Sequence, residues 1–412
     1  MKHAHRLLAA ILCIIICMQL AHGQKTSALA AAGDWPVFLG PAGDGIVRNA
    51  KWNPQLPSSP KQLWTAELGT GFSSFSVSGN RVVSMGHDGG KDYVWCLDLN
   101  TGKTLWSQNY PCALVDNLHE GGPAGTPCID GDKVYTLSKE GQLGCFDMTT
   151  GKPAWGVELQ KTLDVQMPAW GFSCSPRVLG NMLLIEAGHT VALNKTTGKG
   201  IWSSDKFRMG YGSVTVFDNG KKLAALNNDV LLILDAATGK ELAKHRWETN
   251  HATSACTPVM VGDNKLFVST GYGQGCALFE FTGSDLKMVY QNKKLRAHMA
   301  TPVVIGNFVY GIDGQSNERS RCRLVCLELS TGEEKWSQRG VGCGTLFAAD
   351  DKLVIFTDEG TLITAEANGE KYTEIAKATI LDGKCWTVPV LAQGKILARN
   401  AAGKAVCVDV SK

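Results

Sequence analysis

The chain is poor in the short signatures that fix a chemistry. It has no Gly-x-Ser-x-Gly elbow, no Gly-x-x-x-x-Gly-Lys-[Ser/Thr] phosphate loop and no His-Glu-x-x-His pair. The usual sequence routes to serine hydrolysis, nucleotide use and zinc peptidase chemistry are therefore missing. Cys-x-x-Cys and His-x-x-x-His spacings, which would make a local chelate, are absent too, and no metal site is expected. Charge of one sign is also scarce: 41 Lys+Arg stand against 38 Asp+Glu, a formal net charge of +3. No basic stripe with interleaved aromatics runs through the chain, which argues against nucleic acid or an anionic membrane as partner. Arg319, Arg321 and Arg323 form only a short basic loop, read as a solvated hairpin tip.

Long apolar runs are limited to Leu7–Leu20. Lys2, His3, His5 and Arg6 precede that run and Ala21-His22-Gly23 follows it, the order of a secretory signal peptide over residues 1–23. The run is too short and wrongly flanked for a membrane span. A lipoprotein signal is the alternative, because Cys13 and Cys17 lie within it, although the preceding Leu12 and Ile16 are bulky. The mature chain is expected to be exported, periplasmic or extracellular, and monomeric.

What the sequence has in quantity is repetition. Asp98-x-x-Thr101-Gly102-Lys103-x-x-Trp106 returns as Asp147-x-x-Thr150-Gly151-Lys152-x-x-Trp155 and as Asn194-x-x-Thr197-Gly198-Lys199-x-x-Trp202. Altered copies follow at Asp235-x-x-Thr238-Gly239-Lys240, with Ala243 in place of Trp, and at Glu328-x-x-Thr331-Gly332-Glu333, with Trp336. A fixed interval of this size marks a repeat architecture. Each copy is preceded by a Pro- or small-residue-led strand (Thr126-Pro127, Ser175-Pro176, Thr257-Pro258, Thr301-Pro302), a Gly turn, a β-rich strand and a third strand. Four antiparallel strands per repeat make a propeller blade. Opening strands near Ser76, Cys128, Arg177, Val214, Val259, Val303, Leu346 and Val390 give eight blades. Closing strands near Trp64, Trp106, Trp155, Trp202, Ala243, Val289, Trp336 and Ile375 give the same number. The predicted fold is all-β, an eight-bladed β-propeller over 61–412 in which the N-terminal strand around Trp64 closes the last blade. Residues 24–60 read as a leader packing on the ring, because Trp35 and Phe38 are too apolar for a free linker.

These phrases resemble the PQQ-like, quinoprotein/BamB-type β-propeller repeat of exported bacterial proteins. In that family the Gly-Lys-x-x-Trp element docks one blade on the next, and the Asp34-Trp35-Pro36-x-Phe38-x-Gly40-Pro41 leader looks like the one that precedes such repeats. The resemblance implies either a binding scaffold or a quinoprotein oxidoreductase of alcohols or sugars carrying pyrroloquinoline quinone and calcium. Adjacent cysteines, often found beneath the quinone in the dehydrogenases, are absent here, and so is a Cys-x-x-Cys-His haem site. The expectation is a non-catalytic scaffold, without cofactor, that presents its loops or channel mouth to a protein, glycan or small molecule.

Fourteen cysteines are many for an exported chain. Cys96, Cys145, Cys326 and Cys407 share one third-strand position, where neighbouring blades stand about 10 Å apart and thiols stay free as core residues. Cys174, Cys256, Cys343 and Cys385 instead sit at the entrance of opening strands, the strands that line a propeller's channel. His119, His251 and His298, with Trp170 and Trp386, belong to the same class of loop. A ligand site at one channel mouth is expected from Trp170, Cys174, His251, Cys256, His298, Cys343, Cys385 and Trp386.

Overall fold

A computed structural model describes residues 33–412. The signal-peptide reading of residues 1–23 and the start of the leader fall outside the described residues. Eight four-stranded antiparallel sheets follow one another round a ring. Blade 1 is Ser76–Ser78, Arg81–Asp88, Lys91–Asp98 and Thr104–Pro111, and blade 2 opens at Cys128–Asp130. Blades 3 to 7 open at Arg177–Leu179, Thr215–Phe217, Val259–Val261, Val303–Ile305 and Thr345–Ala349. Blade 8 takes Val390–Ala392, Lys395–Arg399 and Lys404–Asp409 from the C-terminus, and its outer strand, Gln62–Glu67, from the N-terminus. Trp64 pairs with Cys407 across that seam. Such closure leaves no open sheet edge inside the ring.

Burial follows strand position. The second strands, such as Lys133–Leu137 and Lys352–Phe356, are buried throughout after their first residue. Both of their faces meet a neighbouring blade, so they carry continuous apolar runs instead of an alternation. From Trp106 on, the outer strand Thr104–Pro111 alternates buried or half-buried with exposed residues, because one of its faces meets solvent.

The repeated phrase performs two tasks. Asp98 Oδ1 accepts the Thr101 N–H at 2.8 Å and its hydroxyl at 2.9 Å, and Asp147 and Asp235 hold Thr150 and Thr238 in the same way. The glycine that follows has a left-handed backbone (Gly102, φ +69°) and lies flat against the Trp of the preceding blade. A Cβ at Gly102 would stand 2.7 Å from the Trp64 indole, and one at Gly151 2.6 Å from Trp106. Trp64 donates its indole N–H to the Leu99 carbonyl (2.8 Å) of the neighbouring blade, Trp106 to Met148 (3.0 Å) and Trp155 to Lys195 (3.0 Å), whereas the buried Trp202 N–H has no partner among the described residues. Tyr290 replaces Trp between blades 5 and 6, packing on Gly332. At the seam this contact is reinforced by Arg399 of blade 8, which is fully buried and donates to the blade 1 carbonyl of Met85 (2.5 Å) and, just before that blade, to those of Ser73 (3.3 Å) and Gly69 (2.7 Å).

Residues 33–56 run across one end of the channel. Trp35 exchanges two backbone hydrogen bonds with Val77 of blade 1, and the Pro36 carbonyl accepts from Ile129 of blade 2. Phe38 and Leu39 face Ser213 and Thr257 of the walls of blades 4 and 5 across a small void. Ile46–Val47 then adds a fifth, parallel strand to the inner edge of blade 7, and Asn53 donates to Val410 beyond blade 8. The path touches the ring almost all the way round before the chain enters its closing strand.

Candidate functional site

With one end crossed by the leader, the channel becomes a cup of about 1060 Å³. Phe38 and Leu39 form its floor, and its lower wall is a belt of hydroxyl residues, one per blade: Ser74, Thr126, Ser175, Ser213, Thr257, Thr301, Thr345 and Thr387. The belt also stitches the blades. The N–H of Thr126 donates to Ser175 Oγ (2.9 Å), that of Ser175 to Ser213 Oγ (2.8 Å), that of Ser213 to Thr257 Oγ1 (3.0 Å) and that of Thr257 to Thr301 Oγ1 (3.1 Å). Ser74 Oγ donates to the Val388 carbonyl (2.7 Å), which continues the belt across the seam. The position was legible in the sequence as the Ser or Thr that precedes each opening strand; its convergence on one ring was not.

Aromatic rings form the rim. Phe72 stacks on Trp386 (5.9 Å between centroids) and meets His119 edge-on (5.6 Å). Trp170 meets Tyr211 (5.7 Å) on the opposite arc, while Tyr272 lies between His251 (5.1 Å) and His298 (4.9 Å). Of the residues expected at the mouth, Trp170, His298 and Trp386 line the cup. His251 sits behind Tyr272, exposed and with a left-handed backbone (φ +64°). Cys174, Cys256, Cys343 and Cys385 are buried behind the wall. Side chains alternate along an entering strand. Ser173 and Ser175 therefore face the cup on either side of Cys174, as do Ala255 and Thr257 beside Cys256 and Lys384 and Trp386 beside Cys385. Burial raises the thiols of Cys174, Cys256 and Cys385 to about 12, so they stay protonated at neutral pH. All twelve cysteines of the described residues are free, and Cys96, Cys145, Cys326 and Cys407 pack in the cores between blades.

The charged groups at the cup are mostly paired. Lys384 bonds Glu120 (2.6 Å) and lies 4.3 Å over the Trp386 ring. Arg319 grips Asp358 (2.5 and 2.9 Å) and Glu359 (2.6 Å). Arg319 and Arg321 of the basic loop are exposed, as a solvated tip requires, but Arg319 also lines the cup, and Arg323 bonds Asp313 (3.2 Å) and Glu334 (2.7 Å). The carboxylates that pair with Arg319 and Arg323 reach across from neighbouring strands, which a local charge count does not reveal.

Lys139 is the exception. It is 2% exposed, lines the cup and has no carboxylate partner; its ammonium donates to the Trp170 carbonyl at 2.7 Å. Burial lowers its pKa to about 8. Sequence reasoning missed it because a lysine in a Gly141 turn reads as surface. The following loop folds over it, with the Phe172 N–H on its carbonyl (2.9 Å) and Gly171 against its stem. His298, lowered to about 4 by burial, is a neutral imidazole at pH 7, and His119 is lowered by burial and by Lys139.

Among the described residues no group of three or more His, Cys, Asp or Glu is placed to hold a metal ion. Calcium takes six to eight oxygens. Both carboxylates at this wall, Asp358 and Glu359, already serve Arg319. With both engaged in this way, the donor set does not fit a quinone held with calcium.

Comparison with known proteins agrees with the architecture. An outer membrane protein assembly factor BamB from Moranella endobia is 23% identical over 359 residues, 84% of this chain and 78% of that protein. The Burkholderia pseudomallei protein of the same description is 25% identical over 211 residues, an alignment that spans half of each protein (49% and 50%). Among solved structures, BamB from Moraxella catarrhalis superposes with a TM-score of 0.64 at 15% identity, over 85% of this chain and 99% of that one. Quinohemoprotein alcohol dehydrogenase from Comamonas testosteroni superposes at 0.68 with 12% identity, over 93% and 81%. These structural likenesses speak to the fold alone. Residues 90–338, more than half of the chain, match the family model described as outer membrane protein assembly factor BamB, and the chain belongs to that family of PQQ-like β-propellers.

Proposed function

We propose that this protein is an exported, non-catalytic propeller scaffold, periplasmic or extracellular, whose cup binds a protein segment, a glycan or a small molecule. The observation that carries the reading is the shape and chemistry of one end of the channel. The leader crosses the far end, so a ligand enters by one mouth. There it meets flat aromatic faces at Trp170, Tyr211, Tyr272 and Trp386 above a belt of hydroxyls. Concave, largely apolar sites with a few convergent polar groups are what ligand recognition uses. Among the described residues no helix is long and apolar enough to cross a membrane.

The family's other activity, oxidation of alcohols or sugars through pyrroloquinoline quinone and calcium, is the competing reading. Its support is a relative described as polyvinylalcohol dehydrogenase, 26% identical over 195 residues. Against it stands the pairing of Asp358 and Glu359, the carboxylates of the cup wall, with Arg319. The test is direct. Protein supplied with pyrroloquinoline quinone and calcium is expected to give no alcohol- or sugar-dependent dye reduction, and native mass spectrometry of protein from its own host is expected to show a bound species that the Trp170→Ala/Trp386→Ala double variant loses. Dye reduction, or a quinone absorption band in the native protein, overturns the scaffold reading.

A further inference from the structure

The free polar groups of the cup are mostly donors. Ser175, Ser213, Thr257 and Thr301 each spend the hydroxyl oxygen on an N–H of the preceding blade, and among the described residues none of these four hydroxyl protons has an acceptor. Two imidazoles of the wall add to them. His119 Nδ1 accepts the Gly121 N–H (2.7 Å) and His298 Nδ1 accepts the Ser316 N–H (3.4 Å), so each neutral ring carries its proton on Nε2. The acceptors of the wall are already engaged. Arg319 grips Asp358 and Glu359, Asp358 Oδ2 also accepts the Cys343 N–H (3.0 Å), and the Trp170 carbonyl serves Lys139. A ligand that satisfies such a cup brings oxygen acceptors with it.

Lys139 sets the charge those acceptors carry. An ammonium has three N–H donors. The Trp170 carbonyl takes one of them at 2.7 Å, and the others have no partner among the described residues. Asp92, the carboxylate whose field reaches Lys139, is itself fully buried and bonded to His87 Nδ1 at 2.9 Å. Gly171 (φ +71°) holds the lysine stem in the wall: a Cβ there would stand 2.6 Å from Lys139 Cδ. Burying a cation without a counter-charge is costly, and an anionic ligand removes that cost on arrival. One fixed cation matches one negative charge, that of a carboxylate, whereas a phosphate group brings up to about two. Beside the ammonium, Trp170 and Tyr211 offer flat apolar faces. Many oxygens, a single negative charge and a ring with an apolar face are together the features of a uronic acid.

We propose that the cup recognises a carboxylate-bearing sugar, a uronic acid of an acidic glycan, with its carboxylate on Lys139 and its ring against Trp170 and Tyr211. The proposal rests on the scaffold reading above and narrows its ligand to one class. The size of the cup, about 1060 Å³, suits a short oligosaccharide and excludes a folded protein. The belt hydroxyls and the imidazole N–H groups then donate to the hydroxyl and ring oxygens of the sugar.

The experiment is calorimetric titration of the full protein with short oligogalacturonides and oligoglucuronides, and with the same oligomers after methyl esterification, which removes the charge and keeps the ring. The expected result is about ten- to hundredfold tighter binding of an acid form than of its ester, the worth of one hydrogen bond to a charged group. Lys139→Met and Lys139→Gln should both abolish that preference and leave the weaker affinity for the ester in place. Glutamine keeps a donor for the Trp170 carbonyl, so the pair of variants separates the charge from the shape of the wall. Trp170→Ala should weaken acid and ester alike. Equal affinity for acid and ester, an unchanged preference in either Lys139 variant, or no binding of any acid form overturns the proposal. The scaffold reading is judged separately, by dye reduction and the quinone band, which these titrations do not read.

Discussion

Lys139→Met should make the protein more stable while weakening whatever the cup binds. A base whose pKa falls from 10.5 to about 8 carries a penalty of about 3 kcal/mol for as long as it is protonated in the folded state. Methionine fills the same stem space without that penalty. Against it stands the lost hydrogen bond to the Trp170 carbonyl, about 1 kcal/mol, which leaves a net gain of about 2 kcal/mol at pH 7. The pH dependence separates this cause from simple packing. The folded pKa lies below the unfolded one, so between about pH 8 and 10.5 the unfolded chain binds more protons. Wild-type stability should therefore rise with pH through that window, and the advantage of Lys139→Met should shrink across it. Urea unfolding at pH 7, 9 and 10.5 for both proteins measures the effect. Equal stabilities at pH 7, or parallel profiles up to pH 10.5, would refute the reasoning, since the ammonium would then carry no burial cost. Under the proposed scaffold reading, a lysine kept at such a cost in the cup wall serves binding rather than folding.

Other expectations follow from the same structure. Trp64→Ala removes a buried indole and the donor to Leu99 at the ring seam, and should cost about 3–5 kcal/mol in thermal or chemical unfolding, whereas Ile201→Ala on an exposed outer strand should change stability by no more than about 0.5 kcal/mol. Glu186, buried and hydrogen-bonded by the Gly188 N–H (3.0 Å) and the Thr190 hydroxyl (2.8 Å), is raised to about 7 by burial. Its folded pKa lies above the unfolded value, so stability should fall by about 3 kcal/mol as pH rises from 4.5 to 7, a slope that Glu186→Gln should remove in pH-resolved urea titrations. N-terminal sequencing of exported protein should find the mature chain beginning near Gln24; a lipid-modified Cys13 or Cys17 would replace the secreted reading with a lipoprotein one.

The repeat phrase made the ring legible because every part of it acts locally. Asp98 needs only Thr101 to form the turn, and Gly102 needs only the Trp64 face, so side chains a few residues apart already specify how blades dock. The closing strand was legible for the same reason: Trp64 has the character of an outer-strand docking residue, but no Thr-Gly phrase precedes it. The cup was harder. Entry-strand cysteines were placed in the right loops, yet the side-chain period of two turns Cys174 inward to the core and Ser175 outward to the cup, and register at that resolution is set by how a short strand leaves its loop. Lys139 and the Arg319–Asp358 clamp depend on contacts between loops of different blades, which neither spacing nor composition encodes.

The strand that completes blade 8 is made near the start of synthesis and finds its partner near the end. Gln62 pairs with Val408, so nearly the whole chain must exist before this ladder can form. At about 5–20 residues per second the wait is roughly 20 to 70 s. During that interval Trp64 can dock on Gly102 and Leu99 of blade 1 but lacks its ladder partner Cys407, and Trp35 can pair with Val77 but lacks the Phe347 ring. Contacts of such sequence separation are slow to reward their loop-closure cost. The ring consequently stays open until its last residues have arrived, and its cup can be completed only then.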